Sequence, residues 1–412
     1  MTLRLALRNL GRHRRRTILT VLVIGLGLGI MILSTGMTEG MNDAIVRVAV
    51  ETSIGHVQVH KEGWLARKKL GDTIPDVAKV RAVIGESPSS ARVVASGLCQ
   101  AAEKVERVTV LGIDPEAEAA VTVLEDKIEE GTFVGDAPRP PAARPNFRPK
   151  PIVVGWKLAQ RLEVRLGGKV RLQVVDATGM LTAEPFWIVG ILRTGSGGQD
   201  ASTVWVRKGD AQALYGLGDR VHEVAVRLGP GVDPAGVVAR LRPALSGCEV
   251  NTWGEVEPAI QNIIDVNDGF MAWIYLIIVV LVASGIVNTT YMSIFERRRE
   301  LGMMQAIGAK PAHLFNLVMA ESALTTALGV VVGVVLGCGH TWWFAEYGLD
   351  LRTFMPSLDV SGFALDTHLF ARLDVSVALP STLFVAAGGV VASLIPAWSV
   401  AREAPLDALR ST

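Results

Sequence analysis

Four long stretches of this 412-residue chain contain no Asp, Glu, Lys or Arg: Thr17 to Thr38, Gly269 to Phe295, Ser322 to Ala345 and Val375 to Ala401. A helix rises ~1.5 Å per residue, so about 20 apolar residues cross the ~30 Å of bilayer hydrocarbon. A long helix in a soluble core normally keeps a polar face, and none of these four does. The expectation is therefore four transmembrane helices, over 17–38, 269–295, 314–345 and 375–400. They account for a mean hydropathy of +0.36 in a chain with 50% hydrophobic and 20% charged residues. That composition excludes a disordered or fibrous chain. A net charge of +1 implies no general attraction to nucleic acid.

The first run follows Arg4, Arg8, Arg12, Arg14, Arg15 and Arg16, as a signal peptide would. It is too long for a signal h-region and lacks a small-residue cleavage site, so it is expected to stay attached as an anchor. Basic residues collect on the cytoplasmic flanks of membrane helices. Residues 1–16 hold six and no acid, 296–313 hold four, and 401–412 hold two, whereas 346–374 hold only Arg352 and Arg372 beside five acids. Both termini are thus expected in the cytoplasm, with the basic N-terminus over 1–16, a cytoplasmic loop over 296–313, an external loop over 346–374 and a cytoplasmic tail over 401–412. Residues 39–268 then form one large external domain.

Within that domain Gly55 to His60 alternates as a strand, Ile74 to Glu86 has helical spacing, and Ser90 to Ala101 returns to β character. A similar order recurs in Val221 to Leu228, Asp233 to Leu245 and Cys248 to Trp253, with Asp233 and Pro234 as N-cap and first helical residue. The expected fold is α+β, split into halves at about 39–135 and 221–268. A mainly β insertion over about 152–220 makes a second subdomain. Before it lies Asp136 to Pro151, whose six prolines rule out a helix or a central strand. His56 and His60 share a strand face without a third ligand, and read as partly exposed polar residues rather than a metal site. Three cysteines leave at most one bridge, Cys99 to Cys248. No G-x-S-x-G or H-E-x-x-H motif points to a hydrolase.

The most informative segment is FERRRELGMMQAIGA, Phe295 to Ala309. As a helix it places Glu296, Arg297 and Glu300 near one side. Leu301, Met304, Ala306 and Ile307 form an apolar stripe, and Gly308 stops it. An interfacial basic anchor and a docking helix for a cytoplasmic partner both fit that pattern. Gly329, Gly333 and Gly337 recur every four residues in the third run, and Gly25, Gly27 and Gly29 thin the first. Small residues at this spacing are packing faces, within the bundle or between subunits. Glu321 lies beside the third run, where a polar contact to the preceding loop or a substrate path would explain it.

The chain resembles the MacB/LolC/FtsX-like permeases of ABC transporters, in ERRRELGMMQAIGA, in Met319-Ala320-Glu321-Ser322, in the closing Pro396 to Arg410, and in the opening Leu7 to Leu10 and Arg14 to Thr17. GHVQVHKEGW and IVVGWKLAQRLEVRLGGKVRLQV are most similar to the lipoprotein-releasing LolC/LolE branch. The resemblance implies a coupling helix that sits in a groove of a separate ABC ATPase, formed by Glu296, Arg297, Arg298, Arg299, Glu300, Leu301, Gly302, Met304, Ala306, Gly308 and Ala309. It further implies a second permease, identical or paralogous, lipoprotein or other lipid-linked cargo, and a bacterial inner membrane with the large domain in the periplasm. No G-x-x-x-x-G-K-[ST] occurs; at Gly168-Lys169, Glu163 replaces the first glycine and Val170 the hydroxyl residue. The chain is thus expected to be a non-catalytic subunit without its own cofactor, the partner ATPase binding ATP and Mg. The alternatives left open are an FtsX-like regulator of an external enzyme, a MacB-like efflux component, and a membrane scaffold without energy input.

Overall fold

The computed structural model describes residues 14–135, 150–229, 231–350, 358–360, 363–365 and 368–402. The first arginines, nearly all of the proline tract, and the closing motif beyond Arg402 lie outside the described residues. The chain divides into two units. One comprises Met1–Asp43, Ile264–Pro356 and Thr367–Thr412, the other Ala44–Ile263 and Ser357–Asp366.

The first unit is built on four long apolar helices, Arg14–Ala49, Pro258–Glu296, Pro311–Tyr347 and Val375–Arg402. Each begins for a local reason where its start is visible. Pro311 occupies the first helical turn, where its missing N–H costs nothing. Asp374 accepts the Ser376 and Val377 N–H groups at 2.6 and 3.2 Å and caps the fourth helix. The first two helices outrun the expected spans, starting earlier or ending later by a dozen residues or so. Glu39, Asp43 and Arg47, and on the second helix Asp265 and Asp268, close the apolar run without breaking the backbone pattern. Hydropathy measures the bilayer, whereas the helix ends only where hydrogen bonding does.

Ile24, Leu28, Met31 and Ile32 of the first helix are buried with Val282 and Ile286 of the second and Val385 of the fourth. The outward faces are as apolar as the core: Trp273, Ile277, Val331 and Val391 are all more than 60% exposed. Water would not tolerate such a surface, and lipid does. The first and third helices meet along glycine. A Cβ on Gly329 would stand 2.6 Å from Ile24 Cβ, on Gly333 2.7 Å from Leu28 Cβ, and on Gly337 2.9 Å from Ile32 Cβ. From the other side, a Cβ on Gly25 would lie 2.9 Å from Val332 Cγ1, and one on Gly29 3.6 Å from the Gly337 nitrogen.

The second unit holds a ten-stranded sheet. Its strands are β1 (Val57–Lys61), β2 (Ser89–Ala101), β3 (Lys104–Ile113), β4 (Ile128–Gly131), β5 (Lys150–Gly155), β6 (Lys169–Val175), β7 (Leu181–Leu192), β8 (Thr203–Arg207), β9 (Glu223–Val226) and β10 (Cys248–Thr252). Residues 89–92 of β2 pair with β9, extending to β1 and β10. Residues 93–101 turn to β3 and β6 instead. From there the order β2–β3–β8–β5–β7–β6 returns to β2 and closes a six-stranded ring. The boundary of the first half therefore differs from expectation, because residues 93–113 belong with the strands of the insertion. β2 is long enough to serve both sheets, and no turn signal marks the changeover.

Asp233 caps the helix Pro234–Leu241 by accepting the Ala235 and Gly236 N–H groups. Val170, Leu172 and Val174 are buried while Lys169, Arg171 and Gln173 face outward, the alternation of a one-sided strand. Cys99 and Cys248 are free thiols. Burial pushes the Cys99 thiol up to about 12.

Candidate functional site

The segment after the second long helix forms a separate short helix, Arg298–Ala306. Glu296 is the last residue of the long helix, where its carboxylate takes a 2.8 Å bond from Arg16. Arg297 sits at the break, with φ −115° and ψ 14°. Its side chain is turned inward, bonding Glu300 at 3.2 Å and both carboxylate oxygens of Glu321 at 2.9 and 3.1 Å. Arg298 opens the short helix half-buried, and Arg299 is exposed. Leu301 and Gly302 are buried, and Leu301 packs with Ile294, Leu314, Val318, Ala397 and Val400 while Met304 rests against that cluster.

Two residues of the expected apolar stripe are elsewhere. Ala306 is exposed and Ile307 is 88% exposed, together with Met303 at 50%. Helical spacing explains Ala306, since 301 and 304 share the inner face while 299, 303 and 306 rotate to the opposite side. Ile307 lies past the last helical residue, where the closing turn redirects it. The helix ends in a Schellman turn, with Ala309 N–H bonded to Met304 O and Gly308 N–H to Gln305 O, both at 2.9 Å. Gly308 has φ +102°, which an L side chain rarely adopts, so its position is set by backbone geometry.

The other polar concentration lies within the second unit. Arg92, Glu223, His60 and Glu249 are register neighbours across β2, β9, β1 and β10. Arg92, 1% exposed, donates to Glu118 through Nε and Nη2 at 3.0 and 2.6 Å, and through Nη1 to Glu223 at 2.7 Å. Ser90 and Thr122 complete the shell around Glu118. Burial by itself would lower the Arg92 pKa, but Glu118 and Glu223 outweigh it and raise it. Burial would raise Glu223, yet His60 and Arg92 hold it below the ordinary carboxylate value of 4.5. His60 is fully buried, stacked on Trp64 with ring centroids 4.6 Å apart. This overturns the expectation of a partly exposed histidine, because the helix Trp64–Arg67 covers that face of β1. Among the described residues no group of three His, Cys, Asp or Glu is placed to hold a metal ion. Arg92 and Glu118 are not among the expected site residues; their one signal in the sequence is a lone arginine in the apolar alternation of β2.

His222 accepts the Val94 N–H on Nδ1 at 3.2 Å and faces the Leu70 carbonyl with Nε2 at 2.9 Å. Only the neutral ring protonated on Nε2 satisfies both. Burial accordingly lowers its pKa from the usual 6.5. The unfolded chain then binds more protons than the folded one just below 6.5, so stability falls as pH drops through that window. We expect amide exchange at Val94 in the full-length protein to quicken as pH falls from 6.5 toward the depressed folded value, after correction for the intrinsic exchange rate. His222→Gln should flatten that dependence; an unchanged pH profile in the variant would contradict the assignment.

Two family descriptions match the chain, the MacB-like periplasmic core domain over residues 17–244 and the FtsX-like permease C-terminal domain over 272–405. The first alone spans more than half the sequence. The chain belongs to the MacB/FtsX-like family of ABC transporter permeases. It is similar to the lipoprotein-releasing system transmembrane protein LolC of Xylella fastidiosa strain Temecula1, 22% identical over 100% of this chain and 98% of that one. LolC of Neisseria meningitidis serogroup B is 23% identical over 95% and 93%. The crystal structure of the periplasmic region of MacB from Actinobacillus actinomycetemcomitans aligns with 52% of this chain and 96% of its own, at 11% identity and a TM-score of 0.35. For this permease, the ten-stranded unit is the MacB-like extracytoplasmic domain and the four helices are its membrane part.

Proposed function

We propose that this permease couples ATP hydrolysis by a separate ABC ATPase to extraction of lipoproteins from the inner membrane toward the outer membrane. The observation that carries the reading is the short helix Arg298–Ala306, fixed on its inner face by Leu301 and presenting Met303, Ala306 and Ile307 outward. Large apolar side chains on a helix that extends no span are what a protein partner buries. Both termini and this helix face the cytoplasm in this reading. Nucleotide and magnesium belong to the ATPase, and this chain contributes no hydrolytic chemistry. A second permease completes the assembly, and closure of the ATPase pair drives the short helices. The cargo assignment rests on similarity to proteins named for lipoprotein release, along nearly their whole length.

Ile307→Glu puts a charge on the docking face without touching the inner cluster. It is expected to lower capture of the ATPase by the purified permease by about tenfold, through loss of roughly 1.4 kcal/mol or more of apolar contact. Membrane insertion should be retained. Undiminished ATPase capture would remove this helix from the interface. Release of a lipoprotein from vesicles, dependent on ATP, tests the cargo; activation of an external enzyme with no release would favour the FtsX-like alternative.

A further inference from the structure

Arg297 is bonded into three elements at once. Its N–H reaches Ile294 O of the second long helix at 3.2 Å, and its carbonyl accepts the Leu301 N–H of the short helix at 3.0 Å. Its guanidinium crosses to Glu321, ten residues into the third long helix. The pair is largely shielded, with side chains 12% and 16% exposed, and it borders a cleft of about 60 Å³ lined by hydroxyls that include Thr290, Ser293, Ser322 and Thr325. Shielding from water strengthens such a pair relative to one on the surface, and a charge left there alone is costly.

The covalent route from the short helix to the third long helix is different in kind. It runs through the turn at Gly308 and Ala309 to Pro311, and it reaches only the end of the helix. Ten residues at ~1.5 Å each put Glu321 about 15 Å along the axis. Leu301 also packs on Leu314 and Val318 within the first turns of that helix, and the ion pair reaches one turn deeper than this apolar contact.

We infer that the Arg297–Glu321 ion pair, beside the apolar packing of Leu301, is the directional link by which movement of the short helix is imposed on the third long helix, with Arg297 and Glu321 acting as positioning residues in transport. This rests on the proposed coupling to an ATPase. The third helix is also the one that packs by glycine against the first, so displacement there reaches the helix that leads into the extracytoplasmic domain.

The test uses the full-length permease reconstituted in vesicles with its ATPase and a fluorescently labelled lipoprotein. Glu321→Gln is expected to keep the ATPase bound and hydrolysing while lipoprotein released per ATP falls by about tenfold, the size of a typical coupling between sites. The exchange Arg297→Glu with Glu321→Arg restores the pair in reverse and should recover most of that ratio. Release per ATP unchanged in Glu321→Gln overturns the link. Loss of assembly in both variants also overturns it, making the pair a structural support. Failure of the unaltered permease to retain any ATPase would instead defeat the coupling reading, and that is seen before a variant is made.

Discussion

Arg92→Met should destabilise the extracytoplasmic domain by about 3–5 kcal/mol, a large share of the roughly 5–15 kcal/mol that holds a domain together. Methionine fills much of the same volume, so the loss comes from charge rather than from a hole. Glu118, 0% exposed, would lose two guanidinium bonds, and Glu223 would lose one. Ser90 and Thr122 still donate to Glu118, but neutral hydroxyls do not balance a buried carboxylate. Denaturant unfolding of the full-length protein, followed by fluorescence, gives the number. Adding Glu118→Gln and Glu223→Gln to Arg92→Met removes the unpaired charges and should recover much of the loss. A single variant that loses less than about 1 kcal/mol, the range of an exposed pair, would mean that the three charges are solvated and not a closed network.

The second large effect is expected at Gly333. Valine there would bring its Cβ to 2.7 Å from Leu28 Cβ and 3.0 Å from the Gly25 carbonyl oxygen. Neither neighbour is the free end of a flexible side chain, so the first and third helices must separate. Overpacking of this kind costs about 1–3 kcal/mol. Here it also loosens the contacts made through Gly329 and Gly337, since helices in lipid associate through close packing rather than hydrophobic burial. Gly339→Val is the control on the same helix, because nothing lies within 4 Å of the added carbon. The expected result is a lowered thermal midpoint for Gly333→Val in detergent and none for Gly339→Val. Equal behaviour of the two would place the glycine face away from the helix contact.

The sequence by itself determined how many helices cross the membrane, because length and apolarity are local properties read within one segment. It also determined that a short amphipathic helix follows the second span and stops at Gly308, since a helical period and a positive-φ glycine are again local. The inner face of that helix was only half legible. Leu301 and Met304 lie where their spacing puts them, whereas Ile307 turns outward because the Schellman turn takes over after Ala306.

Only the tertiary structure decided what lies beyond the range of periodicity. Arg92 meets Glu118 and Glu223 across 26 and 131 residues, and Arg297 meets Glu321 across 24. A contact from Glu321 to the preceding loop is among the sequence expectations, but nothing in any one segment marks Arg297 as its partner, or Glu118 and Glu223 as those of Arg92. His60 occupies an alternating strand that reads as half-buried, and becomes core only because Trp64 folds over it. The ring of strands closes through β2, whose thirteen residues show one continuous β pattern while pairing with different neighbours at its two ends. Register and charge pairing depend on which surfaces are brought together, and that is a property of the folded chain rather than of its local spacing.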